Sequence, residues 1–133
     1  MSQENVEIVR ASWSAFNRGD VDAAFKDFSP EFECDMSRAL GVNIDRDVYD
    51  LAQFRRLLAE YAGSLDAFQL GPDELHDAGD QVVVLFTNRA QGRGGIELQG
   101  RGSFVWTIRD GAIVSACPYQ DRAEALKAAG LRT

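Results

Sequence analysis

Basic clusters and long apolar runs are largely missing from this sequence, and each absence excludes a class of function. The chain has 14 Lys and Arg residues against 21 Asp and Glu residues, which gives a net charge of −7. Because nucleic acids and anionic membranes attract basic surfaces, we expect neither of them as a partner. The longest apolar runs, such as 82–86 (VVVLF), are far too short to span a bilayer.

Metal-binding residues are also scarce. The chain has one histidine and two cysteines. Cys34 and Cys117 lie far apart and outside any CxxC pair, so no zinc site is predicted. The sequence leaves open whether these two cysteines form a disulfide. The N-terminal residues lack the basic patch and apolar run of a signal peptide, and we therefore expect a cytoplasmic protein with reduced thiols.

The remaining composition is typical of one globular domain. With 133 residues and a hydrophobic fraction of 45%, the chain can bury one core, and residues 1–133 are predicted to form a single domain. Helical spacing of apolar residues predicts a helix over 4–18 and a short second helix that ends before Pro30. A third helix is predicted after Asp50, which can form a capping pair with Gln53. Residues 121–131 are predicted to form a short C-terminal helix.

Strand patterns occupy most of the remaining chain. In residues 31–37 (EFECDMS), the side chains alternate between apolar and polar, as expected for a strand with one buried face. Residues 38–49 show no sustained period and are predicted to form a loop. The pair Asp110-Gly111 between alternating flanks is a strong hairpin signal. Four further strands are predicted, at 67–76, 81–91, 96–109 and 112–120.

This order of elements predicts an α+β fold. Four consecutive strands joined by short turns should form an antiparallel meander, with the helices packed on one face. A strongly curved sheet around a long helix leaves a cone, and the open end of the cone is suited to a small molecule.

Four phrases of the sequence resemble the SnoaL-like polyketide cyclase family of the NTF2-like superfamily. They are VRASWSAFNRGDVDAAF (9–25), DELHDAGDQVVV (73–84), FVWTIRDGAIV (104–114) and YQDRAEALKAAGL (119–131). The resemblance implies a cone-shaped α+β barrel, a curved and mostly antiparallel sheet wrapped around three helices, with a short C-terminal helix. It also implies a homodimer formed through the outer surface of the sheet. Cyclases, isomerases, hydrolases and non-catalytic proteins share this fold, so the resemblance alone does not decide the reaction.

The resemblance also suggests positions for catalytic groups. Isomerase-like members have a general base near the end of the first strand, and Asp35 matches this place. Their two hydrogen-bond donors would fall at Phe104, which cannot donate, and at about Ser12, so steroid isomerase activity is not expected. An Asp-Arg-Asp set for epoxide hydrolysis could draw on Arg101 together with Asp35 and Asp121, although their registers match poorly.

Asp35 therefore has two interpretations. In a dry cavity lined by aromatic rings, desolvation would raise the pKa of its carboxyl group and make it a proton acceptor near neutral pH. Alternatively, it is a solvated strand residue, as the neighbouring carboxylate of Glu33 on the same face suggests.

The other two catalytic candidates also have structural alternatives. His76 could shuttle protons, or it could be a surface residue near a turn. Asp121 could face the pocket, or it could cap the last helix in a capping box with Glu124.

The predicted ligand-binding residues are aromatic. They could fill the core by packing alone, or they could line a pocket for a hydrophobic molecule. We expect a hydrophobic carbonyl compound as ligand and chemistry without metal or organic cofactor. One alternative is a non-catalytic binding or accessory protein. Another is assembly through the exposed sheet face alone, which predicts a cavity too small or too filled to hold a ligand. The residues are Trp13, Phe16, Tyr61, Phe104 and Trp106.

Overall fold

The structure is a computed structural model that describes residues 2–38, 46–64, 66–91 and 97–131. Its helices are α1 (Ser2–Asn17), α2 (Val21–Phe25), α3 (Leu51–Ser64) and α4 (Arg122–Ala128). Its strands are β1 (Phe28–Asp35), β2 (Val48–Asp50), β3 (Asp66–Ala78), β4 (Gln81–Gln91), β5 (Glu97–Arg109) and β6 (Ala112–Tyr119). The predicted α+β class and the predicted elements are confirmed, with ends shifted by a few residues.

Local sequence signals account for the helix ends. Gly19 adopts a φ of +82° after α1, a conformation that favours glycine. The carboxylate of Asp20 then accepts a hydrogen bond from the Ala23 N–H at 3.2 Å and caps α2. Before α3, Asp50 and Gln53 bond reciprocally at 2.8 and 2.9 Å, so the predicted capping pair is confirmed.

The six strands form one curved, unclosed sheet in the order β2-β1-β6-β5-β4-β3. Strands β3 to β6 form the predicted antiparallel meander. Asp110 and Gly111 both have positive φ values, 51° and 78°, and join β5 to β6 in the predicted hairpin. Strand β1 returns beside β6 in parallel, so both ends of the chain contribute to the middle of the sheet.

Strand β2 was not predicted. It occupies Val48–Asp50, within the span 38–49 that was expected to be a loop, while residues 39–45 lie outside the described part of the chain. Tyr49 is buried and pairs with Cys34 of β1. Three residues are too few to show a period, and this strand forms only because β1 offers a partner edge.

The two faces of the sheet carry separate cores. Helices α1, α2 and α3 pack on the inner face around Phe32, Phe54 and Ile113. Helix α4 packs on the outer face, where Leu126 meets Val83. The expectation that all helices would share one face is therefore wrong for α4. The short C-terminal helix of the family resemblance occupies this outer position.

The two cysteines lie on opposite faces of the sheet. Cys34 pairs with Ala116 and is fully buried on the inner side, whereas Cys117 is the next residue along β6 and is partly exposed on the outer side. Both thiols are free. Since successive strand side chains point in opposite directions, the disulfide left open by the sequence does not form in this fold.

None of the helices in the described ranges has both the length and the apolar character that crossing a bilayer requires.

Candidate functional site

An apolar cavity lies on the inner side of the sheet, between the three inner helices and strands β3 and β5. The room inside it is about 40 Å³, enough for a few water molecules, and its mouth opens to solvent. A larger ligand therefore has to displace side chains of the wall or extend out of the mouth. Its described wall consists of Ser12, Trp13, Phe16, Ala24, Phe25, Phe28, Phe54, Leu58, Leu70, Phe104 and Trp106.

Aromatic rings determine the shape of this cavity. The ring of Trp13 packs against those of Phe86, Phe104 and Trp106 at centroid distances of 5.2, 6.1 and 6.2 Å. The contacts with Phe104 and Trp106 are edge-to-face, with interplanar angles of 79° and 81°. Such pairs stabilise a fold by about 0.5–1.5 kcal/mol beyond the area they bury, so this part of the wall is well anchored.

Few polar groups reach the cavity. The Ser12 hydroxyl donates its proton to the backbone oxygen of Ala24 at 2.7 Å, which leaves its oxygen able only to accept. The indole Nε1 of Trp106 is buried and has no hydrogen-bond partner among the described residues. The wall thus presents almost only hydrocarbon surface.

The described wall contains no titratable side chain. Moving an ionised group into such a site without a partner is strongly unfavourable. The cavity is therefore suited to a neutral molecule, and none of the described wall residues can act as its general base.

Asp35 lies outside this cavity. The alternation predicted for residues 31–37 is confirmed: Phe32, Cys34 and Met36 are buried inside the sheet, and Asp35 is exposed on the outer face. Hydrogen bonds from the hydroxyl and the backbone N–H of Ser37 lower the pKa of the Asp35 carboxyl group. The expectation of a desolvated Asp35 with a raised pKa is wrong, because strand alternation directs its carboxylate to water.

Open grooves lie on the outer face instead, among the residues that the structure describes. One groove of about 600 Å³ contains Glu33, Asp35, Cys117 and Tyr119. Burial is the main cause that raises the pKa values of the Cys117 thiol and the Tyr119 phenol. The homodimer expected through this face stays a prediction.

Arg101 lies in the second outer groove, which measures about 450 Å³ and also contains Glu74 and Arg122. Asp35 belongs to the first groove, and Asp121 lies at the start of α4. The structure does not bring this Asp-Arg-Asp set together, because the three residues do not share a groove.

The other two catalytic candidates have structural partners. His76 Nε2 lies 3.0 Å from Glu74 Oε1 at the surface, and Glu74 also accepts a hydrogen bond from Arg122 at 2.7 Å. These contacts lower the pKa of Glu74, with the Arg122 bond contributing most. Asp121 caps α4 by accepting from the Glu124 N–H at 3.1 Å, as its structural interpretation predicted. Neither His76 nor Asp121 lines the cavity.

Four of the five aromatic candidates meet at the cavity. Trp13, Phe16, Phe104 and Trp106 all line it, whereas the side chain of Tyr61 lies outside the described part of the chain. Ser12, the position compared with a hydrogen-bond donor of isomerase-like members, also lies in the wall.

The sequence did not single out the other wall residues as ligand-binding. Phe25 and Phe28 come from α2 and the start of β1, and Phe54 and Leu58 come from one face of α3. Phe54 and Leu58 are four positions apart, a spacing that predicts core helices in general. Periodicity identifies the buried face of a helix, but it does not locate a cavity along that face.

Metal ligands do not cluster either. Within the described ranges, no group of three or more His, Cys, Asp or Glu side chains is arranged so that it could hold a metal ion.

Comparison with known proteins identifies related sequences and folds. The sequence pattern of the SnoaL-like domain matches residues 9–116. No protein with a curated description matches the chain.

Several solved structures share this fold. AclR, a proposed hydroxylase from Streptomyces galilaeus, superposes with a TM-score of 0.75 at 17% identity, covering 98% of each chain. TerC, which was co-crystallised with polyporic acid, has a TM-score of 0.71 at 23% identity, covering 96% of this chain and 98% of TerC. A proposed polyketide cyclase from Xanthomonas campestris pv. campestris has a TM-score of 0.70 at 24% identity, covering 92% of this chain and 94% of its own.

Proposed function

The chain belongs to the family of SnoaL-like domains, and we propose that it binds a neutral, largely hydrophobic small molecule in its cone cavity. The observation that carries this proposal is the character of the wall. Its described side chains are almost entirely hydrocarbon, none of them is titratable, and the cavity opens to solvent. Each CH₂ group that a ligand buries there contributes about 0.8 kcal/mol.

The neighbours in fold suggest the class of ligand. TerC was co-crystallised with polyporic acid, and the Xanthomonas protein is a proposed polyketide cyclase. We therefore assign to this chain a carbonyl compound of the polyketide kind. The aromatic wall formed by Trp13, Phe104 and Trp106 supports this choice, because flat rings pack well against other aromatic rings.

Catalysis is the second candidate function, and family membership favours it. An enzyme of the cyclase, isomerase or hydrolase kind would here act mainly by holding a flexible carbonyl compound in a reactive conformation. The exposed carboxylate of Asp35 has no part in such a mechanism. A base in the mechanism would have to come from the ligand, from water or from a residue beyond the described wall.

Binding can be tested with a matched pair of neutral probes, acetophenone and α-methylstyrene, in which an oxygen replaces a CH₂ group. Both tryptophans of the chain, Trp13 and Trp106, line the cavity, so intrinsic fluorescence reports occupancy. We expect saturable binding of both probes. The variant Ala24→Leu fills the cavity and should weaken binding at least about tenfold, the equivalent of ~1.4 kcal/mol.

The control is Ala129→Leu, which adds the same atoms to the outer core and should leave binding unchanged. If neither probe binds to the natural chain, or if both variants bind equally well, the proposed function is wrong. Exchange of the acetophenone methyl protons in D₂O separates the two candidate functions. Acceleration by the protein supports proton-transfer catalysis, and an unchanged rate supports a binding protein.

A further inference from the structure

The indole N–H of Trp106 is a hydrogen-bond donor that no described residue uses. The residue is only 4% exposed, and its Nε1 atom is buried without a partner among the described residues. Its ring neighbours are Trp13 at 6.2 Å, Phe28 at 6.0 Å, Phe54 at 6.3 Å and Phe104 at 5.1 Å. None of these side chains has a carbonyl, carboxylate or hydroxyl oxygen to accept the proton.

An unpaired N–H in such surroundings is unusual. Buried tryptophan N–H groups normally find a partner, and the great majority of buried polar atoms in proteins are hydrogen-bonded. Trp106 lines an almost entirely apolar cavity, and neighbouring atoms cover its Nε1 there. A ligand that displaces this cover and brings an exposed lone pair to Nε1 would therefore gain a bond that the described residues do not supply.

We propose that the Trp106 N–H is the specificity-determining contact of the cavity and donates to a carbonyl or similar neutral oxygen of the ligand. This inference rests on the proposed function. A carboxylate would be a stronger acceptor, but its charge would have no partner in the described wall. A protonated amine has no lone pair and would leave the indole N–H unpaired. The ligand is thus an apolar molecule with an uncharged acceptor placed to meet Nε1.

Water is the main competitor for this donor. A buried water needs two to four polar partners. The other polar groups of the described wall are the Ser12 hydroxyl, whose proton goes to Ala24, and the Trp13 indole. A weak N–H contact with a ring face is the second alternative. Neither alternative makes the protein prefer a ketone over its hydrocarbon isostere.

The test compares the affinities of acetophenone and α-methylstyrene, which have the same shape and differ in the oxygen atom. We expect the natural chain to favour acetophenone by about 3- to 10-fold, the range of a net neutral hydrogen bond. Trp106→Phe should abolish this preference and bring the ratio close to one. Trp13→Phe changes the same wall and should weaken the binding of both probes alike, so the ratio of their affinities should stay at that of the natural chain.

A second measurement avoids any substitution at position 106. The chain has two tryptophans, so its ¹⁵N spectrum has two indole signals, and Trp13→Phe assigns them. Acetophenone should shift the Trp106 indole N–H proton downfield, and α-methylstyrene should not. If both probes bind with equal affinity and affect this signal alike, the inference about Trp106 fails while the proposed function stands. If neither probe binds, both fail.

Discussion

The inner and outer faces of the sheet are built from the same strands, yet they have opposite chemistry. On β1, Phe32 and Cys34 are buried against the helices, and Glu33 and Asp35 between and beside them are exposed. On β5, Phe104 and Trp106 line the cavity, whereas Val105 and Thr107 border an outer groove. Successive residues of one strand thus face either the neutral, apolar cavity or the hydrated, acidic outer surface.

The comparison shows where proton-transfer chemistry can and cannot lie in this chain. All three acid–base candidates from the sequence, Asp35, His76 and Asp121, lie away from the inner cavity. A carboxylate on the outer face keeps its hydration, so its pKa is not raised by burial. In Asp35 the pKa is in fact lowered, by the bonds from Ser37.

The largest effect is expected from placing a carboxylate on the wrong face. Cys34 is 0% exposed in the inner core, and Cys34→Asp should lower the free energy of unfolding by about 3–5 kcal/mol, because the new group has neither water nor a partner. Urea unfolding followed by tryptophan fluorescence measures the change. Asp35→Asn, one residue away, should change stability by no more than about 0.5 kcal/mol. Similar losses in the two variants would contradict the assignment of faces.

A smaller effect is expected from adding one methyl group to the inner face. A Cβ atom at Gly102 would lie 2.5 Å from the Phe86 ring, which itself packs against Trp13 and Phe104. Gly102→Ala should therefore cost about 1–3 kcal/mol through overpacking.

Gly71→Ala is the matched control for this substitution. The new Cβ there would meet only the Thr87 backbone oxygen, at an ordinary contact distance of 3.5 Å. Thermal unfolding of both variants gives the comparison. If Gly71→Ala is as destabilising as Gly102→Ala, close packing against the Phe86 ring is not the cause of the stability loss in Gly102→Ala.

The smallest effect is expected on the outer face, where pH acts through Glu74. Its pKa is lowered from 4.5 in the folded chain, first by the hydrogen bond from Arg122 and then by that from His76. Because the folded pKa lies below the unfolded one, the ionised group stabilises the fold above about pH 4.5, and this contribution disappears as the pH falls through the folded pKa. Glu74→Gln should therefore lower stability slightly at pH 7 and have less effect at low pH.

Repeating the Glu74→Gln comparison in an Arg122→Met background tests whether the Arg122 bond causes the pH dependence. The pH-dependent difference should shrink there, because the main partner of the carboxylate is gone. A difference of unchanged size would show that the Arg122 bond is not responsible. Urea unfolding between pH 3 and pH 7 supplies the measurement.

Most of the fold could be predicted because its signals are local. The caps at Asp20 and Asp50, the Asp110-Gly111 hairpin and the alternation of β1 each depend on residues close in sequence. Strand β2 and the position of α4 could not be predicted in this way. Each depends on a partner surface supplied by a distant part of the chain, β1 for the former and strands β4 and β5 for the latter.

By itself, the sequence determined which residues share a face, because strand and helix periods follow from backbone geometry alone. It indicated that Asp35 and Phe32 must lie on opposite sides of β1, and that Trp13 and Phe16 belong to one helical stripe. Only the tertiary structure decided which side of β1 meets the cavity and that the Trp106 N–H is buried without a partner among the described residues. The reason is physical: burial and pairing depend on what other segments bring to a site, and periodicity contains no information about those segments.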